Sequence, residues 1–330
     1  MAHGRGWGTL LLAAGLAWGW TGISFSGESK PTFKVWLGEL GREARGQGIS
    51  QKTLDAALKD LAPIARVIEL DRSQPEVIWT LEEYLSRVVT EHRIATARAK
   101  LSEHRALWEE LYDRYGVQPE FLAAFWAIES DFGRSTGGFS VIGATATLAY
   151  DGRRGAYFRK ELLLALRIVE QGHITTDKMT GSWAGAMGQF QFMPSTFVSY
   201  AVDHDGDGRK DIWGNVEDSI ASAANYLSRS GWEREMTWGW EVSLPKEMNR
   251  QAIGLETRKT TSEWKGLGVR LAGGRELPES PVWLGSVMNA PRSKDRIFLV
   301  SDNYRAVYRW NPSHLFAIAV GTLADRIGGQ

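Results

Sequence analysis

The sequence predicts an α+β protein that is mainly α, with one small antiparallel β insert. Apolar residues recur at helical spacing through most of the chain before residue 236, as in Trp36, Leu40 and Ala44. Short β-rich runs separated by Gly and Pro, such as Val282–Leu284, occur instead within residues 236–308 and predict strands. The length of 330 residues allows one large domain or two to three small ones with an ample core.

The chain before the predicted core is helical. Residues 33–65 form a small helical unit in which Ser50 is placed to cap the second helix. The segment Gln74–Glu76 indicates a turn, and residues 88–115 form one long amphipathic helix or a pair of helices. The predicted domains are a leader at 1–27, a helical region at 28–115, a core at 116–235, a β-rich insert at 236–308 and a closing helix at 309–330.

Composition excludes several partners. Lys plus Arg equal Asp plus Glu at 39 each, so the basic excess that favours nucleic acid is missing and no nucleic-acid partner is expected. The sequence contains no cysteine, which excludes disulfides and thiolate metal sites. Arg5 precedes a short apolar run from Trp7 to Trp20, as in a secretory signal peptide. We therefore expect export across the membrane, with an uncleaved signal anchor as the alternative.

One glutamate lies at the end of an apolar helix. Pro119 suits the first turn of this helix and Gly133 its end. Phe125 and Trp126 lie four and three positions before Glu129 and therefore share its face. Burial disfavours the ionised form of a carboxyl group, and a carboxyl that keeps its proton near neutral pH can act as a general acid. The alternative is a carboxyl at the rim of the core that caps a neighbouring loop.

The segment from Ser182 to Phe197 is typical of neither a helix nor a strand. Gly185 and Gly188 allow close approach of the backbone, and glutamines alternate with aromatic residues before Pro194 starts another helix. This composition suits the lining of a polar groove in which aromatic side chains stack on sugar rings.

These two segments carry a resemblance to a known family. Glu129–Gly133 (Glu-Ser-Asp-Phe-Gly) and Gly185–Ser195 resemble the motifs of the membrane-bound lytic transglycosylase B family, lysozyme-like enzymes that cut peptidoglycan. The resemblance extends from about Phe33 to Ile327. It implies a lysozyme-like helical core, peptidoglycan glycan strands as the partner and a periplasmic location for the exported protein. We also expect a monomer. Some members are lipoproteins, but this chain has no cysteine to carry a lipid anchor.

The resemblance also implies a set of substrate-binding residues beside the catalytic Glu129. In the family, an asparagine matching Asn311 faces the cleaved sugar, and here we also expect it to cap a helix starting at Pro312. Two family tyrosines are replaced by Trp310 and Phe316, which leaves hydrogen bonding at these points in doubt. For the matching tyrosines, packing in the core is the alternative. The implied substrate-binding set is Ser182, Gln191, Phe192, Tyr157, Tyr226, Asn311, Trp310 and Tyr84.

An acidic loop begins like a calcium-binding EF-hand. Asp203, Asp205 and Asp207 stand at the first, third and fifth positions with glycine at the sixth, but the twelfth position is Gly214 instead of glutamate. Family members have a variant loop whose last carboxylate comes later, which Asp218 matches; Asp218 as a helix N-cap is the alternative. Arg209 would contribute only its backbone carbonyl. We expect a structural calcium ion or a metal-free turn, and no cofactor for the reaction itself.

The sequence places only one acidic residue, Glu129, on an apolar face next to the polar segment, although most glycosidases use two. The resemblance implies that Glu129 first protonates the bond between N-acetylmuramic acid and N-acetylglucosamine. It then deprotonates the 6-hydroxyl of the sugar, closing a 1,6-anhydro ring. Two alternatives stay open at this point: hydrolysis by the same acid, as in lysozyme, and a non-catalytic scaffold that binds peptidoglycan.

Overall fold

The computed structural model of the protein describes residues 30–73 and 79–329. Tertiary contacts divide this part of the chain into two compact units. Unit 1 comprises residues 30–73 and 129–223, and unit 2 comprises residues 79–128 and 224–329. The predicted leader at 1–27 and the predicted turn at Gln74–Glu76 lie outside the described residues.

Unit 1 is built mainly from helices, and hydrogen bonds of single side chains fix where several of them begin. The Ser50 hydroxyl accepts a hydrogen bond from the Thr53 amide, and Ser140 does the same for Gly143. Its elements are α1 (Phe33–Gly46), α2 (Gln51–Leu58), α3 (Ala65–Arg72), β1 (Phe139–Ser140), α8 (Val141–Asp151), α9 (Gly155–Glu170), β2 (Thr180–Gly181) and α10 (Pro194–Tyr200).

A cluster of buried side chains holds three of these helices together. Val67 of α3, Leu148 of α8 and Phe158 of α9 belong to one hydrophobic core. β1 and β2 pair in antiparallel fashion, with Phe139 opposite Gly181. The strand pair and the helices thereby bring the segment after β2 next to the residues that follow Glu129.

Two helices contain the points at which the chain passes from one unit to the other. They are α7 (Pro119–Ser130) and α11 (Val216–Arg229). Residues Phe121 to Ala127 of α7 are all at most 7% exposed. A helix that is apolar on every side is expected to be buried, as α7 is.

Unit 2 combines helices with a five-stranded antiparallel sheet. The strand order is β4 (Lys259–Thr260), β6 (Leu284–Asn289), β7 (Ile297–Val300), β3 (Gly239–Ser243) and β5 (Arg270–Leu271). Trp264, Trp283, Val287 and Leu299 are central to the core beside this sheet. Further elements of unit 2 are α4 (Leu81–Val88), α5 (Glu91–Glu103), α6 (Arg105–Tyr115), a 3₁₀ turn (Arg250–Ala252), α12 (Thr261–Gly266), α13 (Asp302–Trp310) and α14 (His314–Gly328).

The predicted fold class, mainly α with a small antiparallel insert, is confirmed. Residues 88–115 form a pair of helices, α5 and α6. The strand expected at Val282–Leu284 begins only at Leu284, and α13 was not predicted. Within the described residues, no helix combines the length and the apolar character needed to cross a membrane. The domain boundaries stay a prediction.

Candidate active site

Glu129 lies in the last turn of α7 and is 4% exposed. The helix ends immediately after it, because Asp131, Phe132 and Gly133 adopt positive φ values of 53°, 59° and 82°. The Ser130 hydroxyl accepts a hydrogen bond from the Gly133 amide at 2.9 Å. Two successive non-glycine residues in the left-handed region are unfavourable, and such conformations cluster at functional sites. The turn fixes the backbone directly after the glutamate.

The turn after Glu129 packs against the polar segment that follows β2. A Cβ atom on Gly133 would lie 2.8 Å from Oε1 of Gln189, and the positive φ of Gly133 also favours glycine at this contact. The backbone N–H of Gln189 donates a hydrogen bond to the Ile212 carbonyl at 2.9 Å. The sequence motif around Glu129 and the motif at 185–195 are therefore in direct contact within unit 1.

Backbone hydrogen bonds shape the polar segment into a tight turn. Met187 and Phe192 exchange two hydrogen bonds, of 2.8 Å and 2.9 Å. Between them, Gly188 has a φ of 69°, and a Cβ there would lie 2.4 Å from the Ile212 carbonyl oxygen. The position requires glycine for both its conformation and its close approach.

Gln191 is held at this turn by its own side chain. It is 6% exposed and has a φ of 51°. Its Nε2 donates to the Thr136 carbonyl at 3.1 Å and to the Gly188 carbonyl at 2.9 Å. Its Oε1 is buried and has no hydrogen-bond partner. Because a buried unpaired acceptor is unfavourable, this oxygen is suited to an N–H or O–H donor of a ligand.

The other predicted residues of unit 1 differ in exposure. The Ser182 hydroxyl oxygen accepts from the amides of Ala184 at 3.3 Å and Ala186 at 3.1 Å, which fixes its position. Tyr157, in the first turn of α9, is 46% exposed. Phe192 is 3% exposed, so its ring belongs to the core that supports the segment.

In unit 2, the predicted helix cap at Asn311 is wrong. Asn311 follows α13 as its C-terminal cap, and α14 begins only at His314, where the hydroxyl of Ser313 accepts from the Phe316 amide. Asn311 is 7% exposed, and its Oδ1 has no hydrogen-bond partner. Because this oxygen does not cap α14, it remains available as an acceptor for a ligand.

Aromatic residues pack together in the same unit. The Trp310 ring lies 4.6 Å from Phe125 and 4.8 Å from Tyr226, between ring centroids, and Phe316 lies 5.8 Å from Phe125. The Tyr226 hydroxyl donates to the Arg309 carbonyl at 3.1 Å. Tyr84, on α4, is 6% exposed and belongs to the core.

The acidic loop brings three of its predicted carboxylates together. Asp203, Asp205 and Asp218 each offer an oxygen within 4.8 Å of the others. The predicted ligand Asp207 is not part of this cluster, because its carboxylate forms a salt bridge with the Arg209 guanidinium at 2.9 Å. Both partners of that pair are exposed, so a small side-chain rotation would free Asp207.

Asp218 faces the loop and is not the N-cap of α11. Its two carboxylate oxygens accept from the amides of His204 and Asp211, both at 2.7 Å, and it is fully buried. The Asn215 side chain caps the helix by accepting from the amides of Glu217 and Asp218. Burial raises the pKa of Asp218. Hard carboxylate oxygens on a loop of this kind are the donors that Ca²⁺ prefers, so these residues fit that ion.

Two buried acids of unit 1 were missed in the sequence. Glu161 is 1% exposed and accepts from the Ser195 amide at 2.8 Å, at the start of α10. Burial raises its pKa. Its place on an apolar stripe with Phe158, Leu162 and Ala165 was a readable signal.

Asp71 is the second of these acids, and it anchors the start of α9. It is 3% exposed and accepts hydrogen bonds from Arg153 at 2.6 Å and 2.9 Å and from Arg154 at 2.8 Å. Burial raises the pKa of Asp71, but the two guanidinium groups outweigh it and the net shift is downward. These contacts position the helix turn that carries Tyr157.

A mainly helical fold in which one buried glutamate ends an apolar helix beside a polar segment defines a lysozyme-like class of glycan-cleaving enzyme. The family model described as "Transglycosylase SLT domain" matches residues 32–325, and the chain belongs to this family.

Named relatives agree with this assignment. The chain is 29% identical over 290 residues to the membrane-bound lytic murein transglycosylase B of Escherichia coli K12, covering 84% of this chain and 75% of the relative. Among solved structures, SltB3 of Pseudomonas aeruginosa matches with a TM-score of 0.87 and 40% identity over 90% of this chain and 80% of that chain. SltB3 was solved with NAG-NAM-pentapeptide and with NAG-anhNAM-pentapeptide.

A more distant structure shows the fold alone. The E. coli lytic transglycosylase Slt35, in complex with calcium, matches with a TM-score of 0.76 and 23% identity, over 90% of this chain and 93% of that chain. The expected lysozyme-like lytic transglycosylase fold is thereby confirmed.

Proposed function

We propose that this lytic transglycosylase cleaves the β-1,4 bond between N-acetylmuramic acid and N-acetylglucosamine in peptidoglycan and forms a 1,6-anhydromuramoyl product. Glu129 is the single general acid and base. The observation that carries this proposal is the burial of Glu129 at the end of α7, directly before a strained turn that packs on the polar segment.

The reaction needs two proton transfers at one carboxyl group. Protonated Glu129 donates to the glycosidic oxygen as the bond to the anomeric carbon breaks. The acetamido oxygen of the substrate stabilises the positive charge that develops at that carbon. The Glu129 carboxylate then takes the proton of the 6-hydroxyl, whose oxygen bonds to the anomeric carbon. The carboxyl group ends protonated, and no water is consumed.

Binding groups with free acceptors support this assignment. Gln191 Oε1 and Asn311 Oδ1 are buried and unpartnered, and N-acetyl N–H and hydroxyl groups of a glycan are donors that could satisfy them. In unit 1, Ser182 and the exposed face of Tyr157 would contact the glycan. In unit 2, the rings of Tyr226 and Trp310 would contact it. Phe192 and Tyr84 are buried, and we propose that each supports the binding residues of its own unit.

The test is digestion of purified peptidoglycan by the wild type, Glu129→Gln and Glu161→Gln, followed by mass spectrometry of the products. Both variants replace a buried glutamate of unit 1 with its amide. The loss of a general acid lowers the rate by about 10²–10⁴-fold, so Glu129→Gln should lose activity. Glu161→Gln keeps an acceptor for the Ser195 amide and should retain it.

Product mass decides between this reaction and its alternatives. Wild-type products lighter by one water than the hydrolysed sugars support the transglycosylase reaction. Hydrolysed reducing ends would make the protein a lysozyme-type enzyme, and binding without cleavage would make it a scaffold. Equal activity of wild type and Glu129→Gln would remove Glu129 from the reaction.

We also propose that the acidic loop binds one structural Ca²⁺ through Asp203, Asp205 and Asp218, with Asp207 and the Arg209 carbonyl completing the shell. Wild-type protein should unfold at a higher temperature in CaCl₂, because a ligand at about 100 times its Kd stabilises the folded state by about 2.7 kcal/mol. Asp218→Asn should lose this response, whereas Glu217→Gln, one residue away and outside the cluster, should keep it. An equal response of both variants would contradict the proposed site.

We propose a periplasmic location for the enzyme, reached through export by the N-terminal segment. The substrate lies there, and the E. coli relative is named as membrane-bound. Separation of soluble periplasmic and membrane fractions, with and without residues 1–27, tests this location and shows whether the segment anchors the protein. Gel filtration tests the expected monomer.

A further inference from the structure

A tyrosine and a histidine are joined across the turn between α13 and α14. The Tyr304 hydroxyl lies 2.6 Å from Nδ1 of His314, and Tyr304 is fully buried. The two rings are nearly parallel, at an interplanar angle of 8°. Tyr308, one helical turn after Tyr304, stacks on the same imidazole with ring centroids 4.5 Å apart. His314 is therefore fixed by a hydrogen bond and by ring stacking, both from α13.

The turn that this pair closes contains Asn311. The Asn311 amide donates to the Val307 carbonyl of α13 at 3.2 Å, and the Ser313 amide donates to the Asn311 carbonyl at 2.7 Å. His314 is the first residue of α14. The hydrogen bond between Tyr304 and His314 thus links the two helices on either side of three residues, of which Asn311 is the first.

A neutral imidazole whose Nδ1 carries no proton can accept a hydrogen bond from the Tyr304 hydroxyl. Burial lowers the pKa of His314, which favours the neutral ring at neutral pH. Burial also raises the pKa of Tyr304, so its hydroxyl keeps the proton that it donates. A buried hydrogen bond of this kind is directional and specifies one arrangement of the groups that it joins.

We propose that Tyr304 and His314 are positioning residues that hold the Asn311 side-chain oxygen in place for the glycan. This inference rests on the proposed function, in which Asn311 contacts the sugar. Oδ1 of Asn311 is buried without a partner, so its place is set by the backbone of the turn and not by a hydrogen bond of its own. Because Asn311 has no such anchor, the link between the helices is needed to keep its acceptor oriented.

Two tyrosine variants separate the hydrogen bond from the packing. Tyr304→Phe removes the hydroxyl that binds His314, whereas Tyr308→Phe removes a hydroxyl and keeps the ring that stacks on it. With a soluble peptidoglycan fragment as substrate, kcat/KM should fall about tenfold for Tyr304→Phe, the loss expected for one buried hydrogen bond. Tyr308→Phe should stay within about twofold of the wild type. Equal values for Tyr304→Phe and the wild type would overturn the proposal.

A double-mutant cycle with Asn311→Ala distinguishes positioning from general destabilisation. If Tyr304 acts through Asn311, Tyr304→Phe should have no further effect on kcat/KM once Asn311 is alanine. A tenfold loss in both backgrounds would mean that Tyr304 acts elsewhere and would overturn the inference. An Asn311→Ala variant with wild-type kcat/KM would overturn it as well.

Variants of His314 test the same link if Tyr304→Phe does not fold. His314→Asn places an amide oxygen near the position of Nδ1 and should retain most of the activity, whereas His314→Ala should not. Equal losses in these two variants would contradict a role for the acceptor. Wild-type cleavage that yields hydrolysed ends would refute the proposed reaction but leave the cycle interpretable, so the two failures are distinguishable.

Discussion

The two units each contain a buried amide oxygen without a partner, but they hold it in different ways. In unit 1, Gln191 sits in a turn set by backbone hydrogen bonds and glycines, and its own Nε2 binds the carbonyls of Thr136 and Gly188. In unit 2, Asn311 sits between two helices that are linked by the side chains of Tyr304 and His314. The first oxygen is held by the turn and by hydrogen bonds of its own side chain. The second has no such hydrogen bond, and in our proposal it depends on the link between Tyr304 and His314.

A substitution at Gln191 in unit 1 should therefore affect both stability and binding, whereas one at Asn311 in unit 2 should affect binding alone. The amide of Gln191 satisfies two carbonyl groups with its nitrogen and leaves its oxygen unpaired. Its removal should therefore disturb the turn as well as the binding site. Asn311 Oδ1 makes no hydrogen bond that supports the fold, so its loss should affect binding alone.

The largest loss of stability and activity is expected at Gly188 of unit 1, where the neighbouring backbone leaves no room for a side chain. Gly188→Ala places a Cβ 2.4 Å from the Ile212 carbonyl oxygen at a positive φ, and we expect a loss of about 3–5 kcal/mol in the free energy of unfolding. Activity should fall by about a hundredfold, because a small displacement of binding groups has that effect. Urea unfolding and peptidoglycan digestion measure the two effects.

Gly172→Ala is the matched control for this variant. Gly172 also has a positive φ, of 80°, but a Cβ there meets nothing within 4 Å. Only the conformational term of about 1–2 kcal/mol applies, and activity should be kept. If the two variants lose equal stability, the close approach at Gly188 is not what shapes the segment.

The second prediction compares the two amides directly. Gln191→Met removes the two hydrogen bonds to carbonyl groups, so the free energy of unfolding should fall by about 2 kcal/mol along with activity. Asn311→Leu removes a buried unpaired oxygen, so the protein should keep its stability or gain up to about 1 kcal/mol while activity falls. Thermal unfolding and kcat/KM on one soluble fragment distinguish the two patterns. A stability loss in Asn311→Leu as large as that in Gln191→Met would remove the contrast between the units.

What could be predicted from the sequence follows the same division. Periodicity and helix-start residues located α7 and α10, and the motif at 185–195 indicated a turn that is neither helix nor strand. These features are local, since glycines, prolines and apolar spacing determine them within a few residues. The helices and the turn that form the main-chain part of the site could therefore be predicted from the sequence.

The position of Asn311 and the side-chain contact near it could not be predicted from the sequence. Pro312 suggested a helix start and Asn311 its cap, but α14 begins two residues later, at His314, and Ser313 caps it. The contact between Tyr304 and His314 depends on how α13 and α14 pack, and α13 itself was not predicted. β6 was only partly found because four of its successive residues are buried, so no alternating pattern marks it. Tertiary packing decides these features, and local sequence does not encode them separately.

The two units also differ in how they hold a buried aspartate, Asp71 in unit 1 and Asp325 in unit 2. Asp71 of unit 1 is paired with two guanidinium groups, and its pKa is lowered by these hydrogen bonds against the effect of burial. Asp325 of unit 2 accepts a hydrogen bond from the Trp238 indole at 2.9 Å, and burial raises its pKa to about 6. A neutral donor satisfies one carboxyl oxygen but does not stabilise the ionised form as a cation does.

The smallest predicted effect is a pH dependence to which Asp325 should contribute and Asp71 should not. A carboxyl with a raised pKa in the folded state stabilises the protein fully below its unfolded value of 3.8, and this contribution is lost as pH rises through about 6. Between pH 7 and pH 5, Asp325 should therefore add about 1 kcal/mol to the free energy of unfolding. Asp71, whose pKa is lowered, loses its contribution only in more acidic solution and should be silent in this window.

Urea unfolding at pH 5 and pH 7 of the wild type, Asp325→Asn and Asp71→Asn measures this difference. Asp325→Asn keeps an acceptor for the Trp238 indole but cannot ionise, so its gain in stability on acidification should be smaller than that of the wild type. Asp71→Asn should be less stable at both pH values, because two guanidinium groups lose their partner, with the wild-type gain unchanged. Glu161 and Asp218, whose pKa values burial also raises, contribute equally to all three proteins. If Asp325→Asn shows the full wild-type gain, the pH dependence arises from those residues of unit 1, and the Trp238 indole keeps Asp325 ionised as effectively as the arginines keep Asp71.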